Sequence, residues 1–384
     1  MILLLAASAT ALTLQEAVDR AAQVDPTAVI TALQARQARF EAADSWVQVG
    51  VSPSVSISRT WVGVATADSA RFTATSSALD PSSWFDALQQ SAQAKAARWL
   101  AEGAALDAQY AVAVMFYGVI AAESALEAAN AGEVAANGTL AAVQARVAAG
   151  LDSELVGKRA EAAALLARGL THRATSDVEV SRLQLARALQ QEAVDHVDMP
   201  PALSLPERAG ESPYLTAAAA DLDAARLDHA QDLARLLPSG SISAGTPLDP
   251  LDWSVTLGAT WTLDGVVGPV LRERVTALEI EVAKVRHDAV ERDLALGIAV
   301  AASQAKAALS IAEAARAREA LASESLKVGQ LRLTAGLASG VDVLLLQEDL
   351  ALASSDRVAS EFSASAGVLE ARRLAGLRWE PAPG

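Results

Sequence analysis

Two hydrophobic periods divide this chain. Residues 253–263 alternate strictly. Trp253, Val255, Leu257, Ala259, Trp261 and Leu263 fall on one side, with Ser254, Thr256, Gly258, Thr260 and Thr262 on the other. A period of two over that length predicts a strand with one apolar face. Residues 54–62 alternate less cleanly, with Val55, Ile57, Arg59 and Trp61 set against serines and Thr60, and 71–79 and 239–246 are short and only partly alternating. Elsewhere the period is helical. Val275, Leu278, Val282 and Val285 follow three-four spacing, as do Val343, Leu346, Leu350 and Ala353. Both rows read as coiled-coil seams.

These elements occur twice in the same order. PSVSIS from Pro53 returns as PSGSIS from Pro238, and RVAAGLDS from Arg146 returns as RLTAGLAS from Arg332. Composition bias alone does not repeat Pro, Gly and Arg in register, so the chain is read as a duplicated structural unit. The first repeat, 12–195, opens with a helix over 13–51 that restarts at Asp25-Pro26. Strands at 54–62 and 71–79 follow, then a long helix over 84–149, a turn at Gly150 and a return helix over 153–195. The second repeat, 213–377, has a helix over 213–237, strands at 239–246 and 252–263, a long helix over 265–335, a turn at Gly336 and a return helix over 340–377. Residues 196–212, with Pro200, Pro201 and Pro206, form the connector, because proline at that density stops helices. Residues 378–384 are a tail. Residues 1–11 are apolar, end in Ala9-Thr10-Ala11 and read as part of a signal peptide cleaved after Ala11. Gly118, Gly132 and Gly138 predict a weak point in the first long helix. No later run of about 18 uninterrupted apolar residues occurs, so no membrane-spanning helix is expected.

The lengths carry an argument. A helix over 84–149 spans roughly 100 Å at 1.5 Å per residue, which calls for lateral packing in a bundle or tube. The strand at 252–263 matches the ~9–11 residues that cross a bilayer obliquely. Trp61, Trp253 and Trp261 suit the aromatic girdle of such a strand. Four strands cannot close a barrel, and an open edge is not tolerated in lipid. Membrane strands here therefore require several copies to share one barrel.

Composition narrows the function. Hydrophobic residues make up 52% of the chain and aromatics only 4%, the balance being largely alanine, which favours helices that pack closely. A net charge of −15 excludes a nucleic-acid partner. It serves solubility or an acidic lumen. The absence of cysteine removes thiolate metal sites, disulfides and a cysteine nucleophile. The four histidines share no metal-ligand spacing, and no nucleotide or hydrolase motif occurs. No enzyme chemistry, cofactor or metal is expected.

The order helix, strand pair, long helix, glycine turn and helix, written twice, resembles the TolC-like outer-membrane efflux proteins. The opening LTLQEAVDRAAQVDP, the PSVSIS and PSGSIS strand entries, and the RVAAGLDS and RLTAGLASGVDV turns carry the resemblance over 12–377. It implies a mainly α fold with a small β part. Duplicated long-helix hairpins would build an α-barrel, and four strands per protomer would join a shared, trimeric, twelve-stranded membrane β-barrel. It also implies a passive exit duct in the bacterial outer membrane, with a long periplasmic extension, a periplasmic adaptor and an inner-membrane pump. The competing reading is a periplasmic helical scaffold whose strands form a small sheet and no channel.

Glycine at 150 and 336 suits tight helix–turn–helix tips. Ser339 with Asp342 reads as a capping box, whereas Ser153 has Val156 in the matching place. Arg146 and Arg332 stand one turn before the tips, where they offset the helix dipole or reach another helix. The resemblance implies that the tips, with Leu151 and Leu337, present the adaptor groove. It also implies that Asp342 rings a pore constriction, where a second acid of some relatives is replaced by Leu345.

Overall fold

The computed structural model describes residues 11–62, 65–200, 203–206, 210–235, 237–247, 254–260 and 267–379. The expected leader over 1–10, the tail from 380, Trp253 and Trp261 lie outside them. The elements run α1 (Leu14–Val24), α2 (Pro26–Val49), β1 (Val51–Val62), β2 (Ala65–Ser76), α3 (Pro81–Ala148), α4 (Glu154–Ala188), α5 (Pro213–Ala234), β3 (Ser239–Pro247), β4 (Ser254–Thr260), α6 (Val267–Thr334) and α7 (Gly340–Leu374). The duplication is metrical. Helices α3 and α6 each have 68 residues, and α4 and α7 each have 35.

One expectation is corrected. Helix α3 runs unbroken through Gly118, Gly132 and Gly138. Glycine costs about 1 kcal/mol in a helix interior. In so long a helix that penalty is spread thinly, because each further residue adds its own hydrogen bond once the helix is nucleated. In addition, α3 and α6 each contain an 18-residue window apolar enough by composition to cross a membrane. A search for uninterrupted apolar runs passes over them, since up to two charges interrupt such a window.

The chain forms two compact units, and each draws on both sequence repeats. The first comprises 1–26, 105–210 and 296–384. Its largest core forms around α1. Leu14, Ala17, Val18 and Ala21, at i, i+3, i+4 and i+7, are buried against Leu106, Tyr110, Phe116, Leu185 and Leu369. Thr13 starts this helix through a capping box. Its hydroxyl accepts from the Glu16 amide at 3.3 Å, and its own amide donates to Glu16 at 3.1 Å. The segment before it pairs in parallel with the connector, the Leu12 amide donating to the His196 carbonyl at 3.0 Å. The connector is not a loose tether, for Leu203 and Leu205 pack on the buried clusters. Tyr110 donates to the Leu377 carbonyl at 3.0 Å and meets Trp379 edge to face at 5.7 Å, which pins the C-terminal segment.

The second unit comprises 27–104 and 211–295. Its sheet is antiparallel throughout, in the order β1-β2-β3-β4. Its helices follow the same order. Trp46 of α2 donates to Ser91 of α3 at 3.0 Å, Gln89 of α3 donates to Asp228 of α5 at 3.0 Å, and His229 of α5 hydrogen-bonds Thr276 of α6 at 3.0 Å. Strand β1 and helix α2 thus mark one margin, and β4 and α6 the other.

Replacing Thr13 by Ala removes an N-cap and is expected to destabilise the first unit by about 1 kcal/mol, while Thr13→Ser stays within a few tenths. Denaturant midpoints of the two variants against the parent check this.

Candidate functional site

Three features can carry function: the two faces of the sheet, its two open margins, and the two hairpin tips. Register partners share a face in an antiparallel sheet. One face carries Val51, Val55, Phe72, Ala74, Ile242, Ala244, Val255 and Leu257. Val51, Val55, Val255 and Leu257 are exposed, Val255 by 70% and Leu257 by 73%, while Phe72, Ala74, Ile242 and Ala244 are half-buried, so among the described residues this apolar surface is open at β1 and β4. The opposite face carries Ser52, Ser54, Ser56, Thr73, Thr75, Ser241, Ser243, Ser254, Thr256 and Thr260. Its hydroxyls bond across the strands. Ser54 and Thr73 lie 2.6 Å apart, and Ser239 donates to the Thr260 carbonyl at 3.2 Å. The sequence pattern shows this division cleanly at 252–263 and only in part at 54–62, 71–79 and 239–246. Register reveals it in all four strands. Trp61 lies within β1.

The outer edges of β1 and β4 have no strand partner among the described residues. The helices beside them are also uncovered. Ile30, Leu33, Phe40 and Val47 of α2 are exposed, Phe40 by 74%, as are Leu271, Val275, Leu278, Val282 and Val285 of α6. The α6 row has the four-three spacing of a coiled-coil seam without its second helix. The other expected seam is internal to the chain: Val343 and Ala353 are buried, with Leu346 and Leu350 packed beside Val343.

The tips are two copies of one turn with different side-chain wiring. Gly150 has φ +70° and Gly336 φ +77°. The Leu151 amide donates to the Arg146 carbonyl at 2.9 Å and the Leu337 amide to the Arg332 carbonyl at 2.8 Å, closing a Schellman motif in each. Leu151 and Leu337 are both well exposed. In the first tip Arg146 donates to Asp152 at 2.7 Å and to the Leu333 carbonyl at 3.4 Å, so it joins α3 to the end of α6. The hydrogen bond to Asp152 pushes the pKa of Arg146 further up. The second tip has Ala338 in the corresponding place, and Arg332 is exposed with no ion pair among the described residues. Its acid lies farther along. Asp342 accepts from the Ser339 amide at 3.0 Å and hydroxyl at 2.8 Å, completing the capping box. Those bonds hold the exposed Asp342 carboxyl below the usual carboxylate range. Ser153 occupies the N-cap of α4 without a side-chain cap bond, and Leu345 is exposed. Gly138, Thr139 and Ala142 of α3 with Gln330, Leu333 and Thr334 of α6 line a groove near the tips. Beside it, Gln347 of α7 donates to Thr139 at 2.5 Å and to the Ala135 carbonyl at 2.9 Å.

One cluster escapes a search for histidine pairs. His287, Asp288 and Glu291 of α6 bring an imidazole and two carboxylates within 4.8 Å of one another. The signal in the sequence is the pair of acids at 288 and 291, within one helical turn of His287.

No family model matches the sequence, and no curated protein matches it. Solved structures do. The chain aligns with CusC, whose structures concern folding and transmembrane channel formation, at TM-score 0.81 and 13% identity over 95% of this chain and 92% of that one. It aligns with the outer membrane protein VceC of Vibrio cholerae at TM-score 0.78 and 16% identity, over 96% of this chain and 97% of that one. It aligns with the open state of the MtrE outer membrane channel of Neisseria gonorrhoeae at TM-score 0.79 and 16% identity, over 95% and 89%. The fold is that of the TolC-like outer-membrane channels, mostly helical with a small antiparallel sheet.

Replacing Ser339 by Ala is expected to cost about 1 kcal/mol of hairpin stability, whereas Ser153→Ala, which removes no cap bond, costs a few tenths. The Asp342 contribution has the sign of a depressed carboxyl: present above the unfolded-state pKa and lost as pH falls through the lower folded value. Thermal unfolding of parent and Ser339→Ala at neutral and acidic pH checks both, because the difference between them must shrink in acid.

Proposed function

We propose that this chain is one of three protomers of an outer-membrane exit duct, a passive channel through which substrates delivered from the inner membrane leave the cell. The observation that carries the reading is the coincidence of three features in one unit. The sheet has an apolar face exposed at β1 and β4 and a hydroxyl face, it is open at both margins, and the helices at those same margins carry exposed apolar rows. A soluble scaffold has no use for an exposed apolar sheet face. In a membrane barrel that face meets lipid and the hydroxyl face meets water.

The likeness in fold to CusC, VceC and MtrE supports three copies contributing four strands each. By the same support the tips lie in the periplasm, dock a periplasmic adaptor and so couple to an inner-membrane pump. Leu151 and Leu337 are the residues we assign to that docking, with the neighbouring groove. Arg146, Gly150, Ser153, Arg332, Gly336 and Ser339 hold the tip geometry. Asp342 and Leu345 are assigned to the constriction, Asp342 being already held by Ser339, which limits its freedom to act as an electrostatic gate.

Detergent extraction followed by planar-bilayer recording tests the reading. A detergent-dependent trimer with steady single-channel current is expected, and a water-soluble monomer without current would refute it. The double variant Leu151→Asp, Leu337→Asp is expected to keep the current and to weaken adaptor binding at least tenfold, read by pull-down with the purified adaptor.

A further inference from the structure

Among the described side chains of the sheet, Arg71 is the only charged one. It is exposed, and no carboxylate pairs with it among the described residues. Register fixes its side. Arg71 pairs with Ser56 of β1 and stands two residues before Thr73, which places it in the hydroxyl row and not in the row of Val55, Phe72 and Ala74. The other two charged residues of this hairpin, Arg59 and Asp68, are opposite in sign and are direct register partners. A lipid-facing arginine is destabilising, whereas on a wall of neutral hydroxyls the guanidinium keeps its water, and no charged side chain among the described residues of the sheet stands beside it to cancel its field.

We propose that Arg71, repeated once per protomer, forms a ring of three guanidinium groups on the aqueous wall of the barrel and makes that end of the duct prefer anions. The inference rests on the channel reading above and adds to it a charge selectivity located in the sheet, distinct from the acidic tip. Twelve strands spaced about 4.8 Å and tilted about 40° give a backbone radius of roughly 12 Å. That is close to the Debye length of ~10 Å at 0.1 M salt, so three charges on the wall bias the whole bore. At 1 M the screening length falls to ~3 Å and the bias fades. Rings of arginine or lysine are a physical means of anion selection.

Reversal potentials in planar bilayers across a potassium chloride gradient near 0.1 M test the ring. Arg71→Gln is expected to lower the chloride-to-potassium permeability ratio roughly two- to fivefold. Arg71→Glu lowers it further, Arg71→Lys preserves it, and at 1 M the variants converge. Because the chain has no other cysteine, Arg71→Cys gives a second route. Coupling a thiosulfonate that carries an ammonium group should restore the parent ratio, and one that carries a sulfonate should depress it. Intact current with an unchanged ratio in Arg71→Gln and Arg71→Glu would overturn the ring and leave the duct standing. No current from the parent protein would overturn both.

Discussion

Every backbone amide and carbonyl removed from water must find a partner, and this constraint governs the molecule. Strand β1 has 12 residues, and its outer edge has no partner within the described chain. About half of those residues turn their amide and carbonyl outward, and at ~1–3 kcal/mol for each unsatisfied group the cost exceeds the ~5–15 kcal/mol by which domains are usually stable. Water can satisfy such an edge, but lipid cannot. The exposed apolar side chains of Val51, Val55, Val255 and Leu257 argue for lipid. A second copy is then the remaining source of partners. Since β1 and β4 are different edges, the contact is head to tail, and it closes into a ring when the rotation per copy permits.

The helices of the same unit obey the same logic. Their order α2, α3, α5, α6 follows the strand order, so the exposed rows of α2 and α6 stand beside the unpaired strands. Phe40 and Val47 on one margin, and Val275 and Val282 on the other, are side chains of the kind that meet across a coiled-coil seam. Closing the sheet would bury them together. The other unit has its own core, with Tyr110, Phe116 and Leu369 buried around α1 and the connector leucines packed on the buried clusters, while Leu165, Leu166, Leu183 and Leu321 of its long helices stay exposed.

Much of this was legible in the sequence because its cues are local. Strict alternation at 252–263 identifies a strand without reference to any neighbour, and Pro26, Gly150 and Gly336 fix helix boundaries through backbone geometry. Ser339 with Asp342 is a capping box readable from spacing alone, whereas that of Thr13 with Glu16 is seen in the structure. The duplicated motifs placed a long helix before each glycine turn, over 84–149 and 265–335, and the structure makes α3 and α6 equal at 68 residues each. What escaped depends on pairing. The hydroxyl face of β2 and β3 emerges only when Thr73 is set against Ser54 and Thr75 against Ser243. Arg146 reads as a dipole-compensating residue until its turn brings Asp152 to it. The unbroken course of α3 through Gly132 and Gly138 reflects cooperativity over 68 residues, which a residue-by-residue propensity does not capture. The leucines of the connector were masked by the prolines beside them, since proline excludes helix but does not imply exposure.

In the proposed duct β1 of one copy pairs with β4 of the next and the ring closes at three. Cysteines introduced together at Ser54 in β1 and Thr256 in β4, in a chain otherwise free of cysteine, report on it directly. Oxidation of the detergent-purified protein followed by non-reducing electrophoresis should give dimer and trimer bands and nothing larger. A ladder continuing past the trimer would mean an open assembly, and monomer alone, across neighbouring cysteine positions as well, would contradict shared closure of the sheet.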